Sequence, residues 1–165
     1  MKFNKRQSVS SDGPGLFLKL KDGESVVGVC RGEIYEFFNK WVGGRSQLTQ
    51  ADDPDGRSRF RLNFVVQEDG KFVAKIWEFG FAIYNQLADL NDEYPLEKTK
   101  IKITRRGQGT DTIYLILPMV KEPIPAKTMK QIESVDLNIL EHKEKPQFEG
   151  APSGANENEF DEIPF

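Results

Sequence analysis

The chain has one cysteine, Cys30, and one histidine, His142, among 165 residues. A single thiol closes no intramolecular disulfide, and two such ligands cannot complete a Cys/His zinc site, so a structural zinc is excluded on ligand count and no cofactor is expected. Nowhere does an unbroken apolar run approach the roughly 18 residues that cross a bilayer. Met1 to Arg6 is basic, yet no apolar stretch follows it as a secretory leader would require. A soluble cytoplasmic protein without a membrane partner is therefore expected. Missing too is any Gly-Lys-Ser/Thr ending after the glycine-rich RRGQGTD, which removes a nucleotide-binding loop of Walker type.

Charge is present, and it is unevenly spread. The net value is −3, but residues 146–165 carry five acidic residues (Glu149, Glu157, Glu159, Asp161 and Glu162) and no Lys or Arg. Residues 1–145 then hold all 23 basic residues against 21 acidic ones, a mildly basic body followed by an acidic tail. That asymmetry is characteristic of nucleic-acid binders with an acidic arm.

Composition divides the chain into three parts. Residues 1–15 combine charge, serines and a Gly-Pro-Gly punctuation and read as a flexible basic and serine-rich arm. Residues 146–165, rich in Gly, Pro, Ala and Asn without a hydrophobic period, read as a disordered tail. Residues 16–145 form the body. Within it the periods predict strands at LFLKL (16–20), at the long stretch 25–41 with glycines 28 and 32 to bend it, at RFRLNFVV (59–66), KFVAKIW (71–77), KIKITRR (100–106) and TIYLILP (112–118). The segment 42–56 reads as a polar loop. Phe81, Tyr84, Leu87 and Leu90 at helical spacing predict a helix over 80–92, and 126–135 a second, shorter one.

Counting the long bent stretch as one strand, the order is strand, strand, strand, helix, strand, strand. This is the order of an OB-fold, a mainly β five-stranded Greek-key barrel that binds single strands on strands 2 and 3 and on the loops joining strands 1 to 2 and 4 to 5.

The hairpin of residues 59–77 carries the functional reading. Phe60, Leu62, Phe64 and Val66 alternate with Arg59, Arg61 and Asn63, and Phe72, Ala74 and Ile76 alternate with Lys71, Val73, Lys75 and Trp77. A three-residue turn with Gly70 in the left-handed position of a bulge pairs Arg61 with Trp77 and Asn63 with Lys75. A two-residue Asp-Gly turn shifts the register by one and sets core positions opposite exposed ones. The first register predicts an outer face of cations around an exposed Trp77, the combination with which phosphates and base faces are held. The bland alternative packs Trp77 under the helix. Lys40, Trp41, Arg45 and Arg57 add bases and a ring around the long loop, and Lys100, Lys102, Arg105 and Arg106 lead into the short one. Tyr35 and Phe37 share the parity of Trp41 and extend the stacking surface, though Phe37 reads equally as core. Tyr114, out of phase with Ile113, Leu115 and Leu117, is a further candidate.

The closing residues Asp161, Glu162, Ile163, Pro164 and Phe165 resemble the acidic tip of bacterial single-stranded DNA-binding proteins, which end in Asp residues followed by Ile-Pro-Phe. The body, in LFLKLKDGESVVGV and ITRRGQGTDTIY, is similar to the single-stranded DNA-binding proteins of tailed phages. Lys5, Arg6, Ser8, Ser10 and Ser11 resemble the basic and serine motif with which T-even phage proteins of this type contact a neighbouring molecule. The resemblance implies coating and protection of single-stranded DNA in phage replication, recombination and repair within a bacterial host. It further implies self-association along the strand through the arm, and recruitment of replication and recombination proteins by a Phe165 that enters an apolar, basic-rimmed pocket. The zinc of the T-even proteins has no counterpart here.

Two rival classes stay open. An RNA-binding or protein-interaction OB module carries the same composition. A metal-dependent nuclease would use Asp52, Asp53 and Asp55, but DDPDG reads more simply as a turn, and His142 between Glu141 and Lys143 reads as solvated, so no enzyme is expected.

Overall fold

A computed structural model describes residues 16–142. They form two compact units, residues 16–36 with 59–141, and residues 37–58 with His142. The elements run β1 (Ser25–Val42), β2 (Arg45–Thr49), β3 (Arg57–Glu68), β4 (Lys71–Gly80), α1 (Phe81–Glu93), β5 (Ile101–Arg106), β6 (Ile113–Pro118) and α2 (Ala126–Glu133). The fold is mainly β. One open sheet has the order β4-β3-β1-β5-β6, and β2 pairs with β1 off that path. The pairs β1–β2, β1–β5, β3–β4 and β5–β6 are antiparallel.

The first unit has a buried cluster on each side of its sheet. On one face Phe60, Leu62, Phe64, Trp77, Phe79, Ile101 and Ile103 pack with Leu87 of α1 and with Cys30. Helix α1 lies against both β4 and β6. On the other face Val29, Val65 and Ile132 of α2 form a smaller cluster with Phe72 and Ala74 beside it. Gly28 lets β1 approach β3 closely, since a Cβ there would stand 2.4 Å from the carbonyl oxygen of Val65 and 2.6 Å from the Phe64 ring.

Two elements differ from the sequence reading. LFLKL (16–20) is not a strand: Phe17 makes one parallel bridge to Ile76, with Leu18 N–H donating to Ile76 O and Ile76 N–H to Leu16 O, each at 2.8 Å. The segment then leaves β4, and Leu20 O accepts from Arg105 Nη1 at 2.6 Å. The polar loop 42–56 contains β2, which is short and has one large apolar residue, Leu48. The signal for it was the Gly43-Gly44 pair, whose φ values of 60° and 81° make a two-residue hairpin turn between Val42 and Arg45.

Candidate nucleic-acid interface

The 59–77 hairpin takes the register that the sequence reading set aside. Asp69 and Gly70 have φ of 52° and 80°, a two-residue turn that pairs Glu68 with Lys71, Leu62 with Trp77 and Phe64 with Lys75. Trp77 is accordingly buried, 3% exposed, with ring centroids 5.7 Å from Phe64 and 4.7 Å from Phe79. The physical reason is that both faces of this hairpin are covered, so alternation over 71–77 could not tell inside from outside. The strand continues to Gly80, and Glu78 between Trp77 and Phe79 was the tie-breaker.

The proposed outer cations are correspondingly occupied. Arg61 Nε donates to Glu78 Oε1 at 3.0 Å and its Nη1 to Leu140 O at 3.2 Å, while its guanidinium lies 5.3 Å from the centre of the Phe17 ring. Arg59 shares Glu78 at 3.5 Å. Lys75 is buried and its ammonium meets Glu68 at 2.5 Å. Over the face of Arg61 and Asn63 runs the segment after α2, clasped where Asn63 Nδ2 donates to Asn138 O and Asn138 N–H donates to Asn63 Oδ1, at 3.0 and 2.8 Å. Lys100 pairs with Glu122 at 3.1 Å. Arg105 is turned inward to Leu20 O and Thr112 Oγ1, with its Nε buried and unpartnered among the described residues. Tyr114 is half-buried against the main core. Lys71, Lys102 and Arg106 are exposed.

The second unit holds an aromatic group that is open to solvent. Trp41, at the end of β1, is 73% exposed opposite Ser46, and Arg45, which follows the turn, is exposed and opposite Val42. Asn39 Nδ2 donates to Ser46 Oγ at 2.7 Å and ties the two strands just behind the ring. Arg57 is exposed at the start of β3. Phe37 is buried, edge-on to the His142 ring at 4.4 Å, which decides the open reading of Phe37 in favour of packing. Tyr35, in the first unit, is half-buried.

Lys40 serves the scaffold. Its ammonium stands 2.9 Å from Asp53 Oδ2, both side chains being less than 15% exposed. Asp53 also accepts from Thr49 Oγ1 at 2.5 Å and from Asp55 N–H at 2.9 Å. These contacts, Thr49 first and then Lys40 and the Asp55 N–H, hold the carboxyl at a pKa of about 2. An anion is thereby locked at the base of the loop, and the DDPDG carboxylate that nuclease chemistry would recruit is committed to a turn. Among the described residues no group of three or more His, Cys, Asp or Glu side chains is arranged to hold a metal, and no helix is long and apolar enough to cross a membrane.

The arm residues Lys5, Arg6, Ser8, Ser10 and Ser11 and the tip residues Asp161, Glu162, Ile163, Pro164 and Phe165 lie outside the described residues. The parity expected on β6 is reversed: Tyr114 packs on the main core and Ile113, Leu115 and Leu117 are the exposed row, because IYLILP is apolar at every position and does not mark which side faces out. Comparison with known proteins adds no assignment: no family model, no curated protein and no solved structure matches the chain.

Proposed function

We propose that this chain binds single-stranded DNA independently of sequence, as an OB-fold protein that coats and protects strands in replication, recombination and repair, and that residues 161–165 recruit partner proteins. The observation that carries the reading is Trp41, a large ring held open to solvent on a hairpin whose other strand begins with Arg45. Sequence-independent binding needs a ring for a base face and a cation for a phosphate, and both are provided within a few residues. The OB architecture is supported by the order β4-β3-β1-β5-β6 with a helix between β4 and β5, in which a long first strand pairs on either side with the second and fourth strands of a five-strand set. On that assignment β2 is an insertion in the loop between the first two barrel strands, one of the loops with which OB-folds contact single strands. The binding surface is thus shifted from the 59–77 hairpin, where Trp77 is core, to the Trp41 hairpin.

The test is titration of Trp41→Ala with labelled oligodeoxythymidine and a matched RNA oligomer. Loss of one stacked ring is expected to weaken DNA binding by about 1–3 kcal/mol, roughly 5- to 150-fold, with the thermal midpoint unchanged. Unaltered affinity would overturn the assignment of Trp41. Tighter binding to the RNA would transfer the reading to an RNA-binding module.

A further inference from the structure

The first unit carries an apolar surface that neither its cores nor the proposed strand-binding hairpin uses. On β6 the side chains alternate, and Tyr114 and Ile116 pack on the main core while Ile113, Leu115 and Leu117 point outward, 55%, 46% and 59% exposed. Three large aliphatic side chains on one strand make a contiguous patch of roughly a few hundred Å2, the size at which exposed apolar surface marks an interaction site. The register places a second row beside them. Arg106 lies opposite Ile113, Thr104 opposite Leu115 and Lys102 opposite Leu117. Lys102 is flanked in turn by Val27 of β1, which is also exposed.

Two further observations define the surface. Lys102 and Arg106 are both exposed, and among the described residues neither forms an ion pair, whereas Arg59, Arg61, Lys75 and Lys100 all do. Past Val27 the surface opens into a groove of about 470 Å3, with Val29, Phe72, Ile124 and Ile132 in its apolar lining and Lys100 beside them. Patch and groove share Val27 and are therefore one surface.

We propose that the outward face of β5 and β6 docks an acidic amphipathic helix of a partner protein. The charge pattern selects the chemistry, because one row is aliphatic and the adjoining row ends in two cations four residues apart. At about 3.3 Å per residue both rows are roughly 13 Å long, the length of some two and a half helical turns. A helix can rest its apolar stripe on Ile113, Leu115 and Leu117 and turn an acidic flank toward Arg106 and Lys102. An extended peptide pressing alternate side chains on the face would direct the intervening ones away from it. A nucleic-acid strand finds cations on β5 but no ring in either row on which to stack. A second copy of this face would bring Lys102 and Arg106 against their own kind. This inference does not depend on strand binding by Trp41.

The probe is a fluorescein-labelled synthetic peptide of about 18 residues, above the length at which isolated helices begin to hold, with leucines at every third and fourth position and glutamates along one flank. It is titrated into the full chain by anisotropy, with amide shifts recorded in parallel. Saturable binding is expected, with shifts centred on β5 and β6, weakened about tenfold or more by Leu115→Ser and made less salt-sensitive by Lys102→Glu. Both positions are exposed, so the thermal midpoints should match the parent, and a variant that melts early is replaced by Leu117→Ser. Absence of saturable binding overturns the proposal, as do shifts confined to the Trp41 hairpin. Displacement of the probe by oligodeoxythymidine with shifts on β5 and β6 would make the face a strand-binding surface and refute it. A concentration-dependent dimer abolished by Leu115→Ser would assign it to a second copy. Tighter binding there of the peptide NEFDEIPF would assign it to the chain's own closing segment.

Discussion

Replacing Trp77 with alanine tests the revised register directly. The ring is 3% exposed, stacked obliquely between Phe64 and Phe79, and opposite Leu62 on the neighbouring strand. A buried tryptophan removes about 150–250 Å2 from water, and at about 25 cal/mol per Å2 the loss, less what the alanine methyl retains, comes to roughly 3–5 kcal/mol, the range measured for such truncations in cores. For a domain of this size each kcal/mol moves the thermal midpoint by roughly 2–4 °C, so a fall on the order of 10 °C is expected. The total stability of a domain is only about 5–15 kcal/mol, so Trp77→Phe, which keeps a ring in the site, accompanies it as the milder variant. Urea unfolding followed by far-ultraviolet circular dichroism gives the stability, and anisotropy with labelled oligodeoxythymidine gives the affinity. Trp77→Phe is expected to retain the parent's DNA affinity while losing stability. Reduced affinity with full stability would restore the three-residue turn and the exposed Trp77, and would refute the two-residue turn at Asp69-Gly70.

Four other outcomes are expected. DNA affinity should fall steeply with salt, with a log–log slope near −0.7 per phosphate contact, and a flat profile would remove the electrostatic reading. Asp53 is held at about pKa 2, below an unfolded value near 3.9, so its stabilising effect is complete above that unfolded value and is lost as pH falls through about 2. Trp41 emission in Trp77→Phe should report that acid transition, and Asp53→Asn should remove it; an unchanged transition in Asp53→Asn would place its cause elsewhere. Cys30 has its thiol pushed up to about 12 by burial first and by the Glu97 charge second, so it should resist a thiol reagent at pH 8 until denaturant is added. Because the folded state favours the protonated thiol, that group's contribution to stability should decline as pH rises above its unfolded value of about 8.5, and rapid labelling of native protein would contradict its burial. Gly28→Ala should cost about 1–3 kcal/mol in urea unfolding, since the new methyl meets the Val65 carbonyl, and a neutral effect would show that β1 and β3 can separate there.

The sequence by itself determined the order of β1, β3, β4, α1, β5, β6 and α2, the length of β1 and the even face of β3, because these are written in local periods and punctuation, whereas β2 and the irregular path of residues 16–20 were not. Phe60, Leu62, Phe64 and Val66 are buried as their alternation requires, and Leu87 is the buried centre of the predicted helix. The parity of β4 was decided only in the tertiary structure. A strand covered on both faces has no polar side, and the odd residues Trp77 and Phe79 enter the main core while Phe72 and Ala74 pack with Val65 under α2. Partner choice among charges is non-local as well. Lys40 is held by Asp53, Arg61 by Glu78 and by a carbonyl 79 residues away, and Arg105 by Leu20 O, so cations that read alike in sequence divide into fasteners and free surface groups only when the chain has folded. The same holds for the rings. Trp41 and Trp77 each sit among lysines and arginines, and what separates them is that Trp77 lies within a sheet covered by other elements while Trp41 ends a hairpin with solvent beside it.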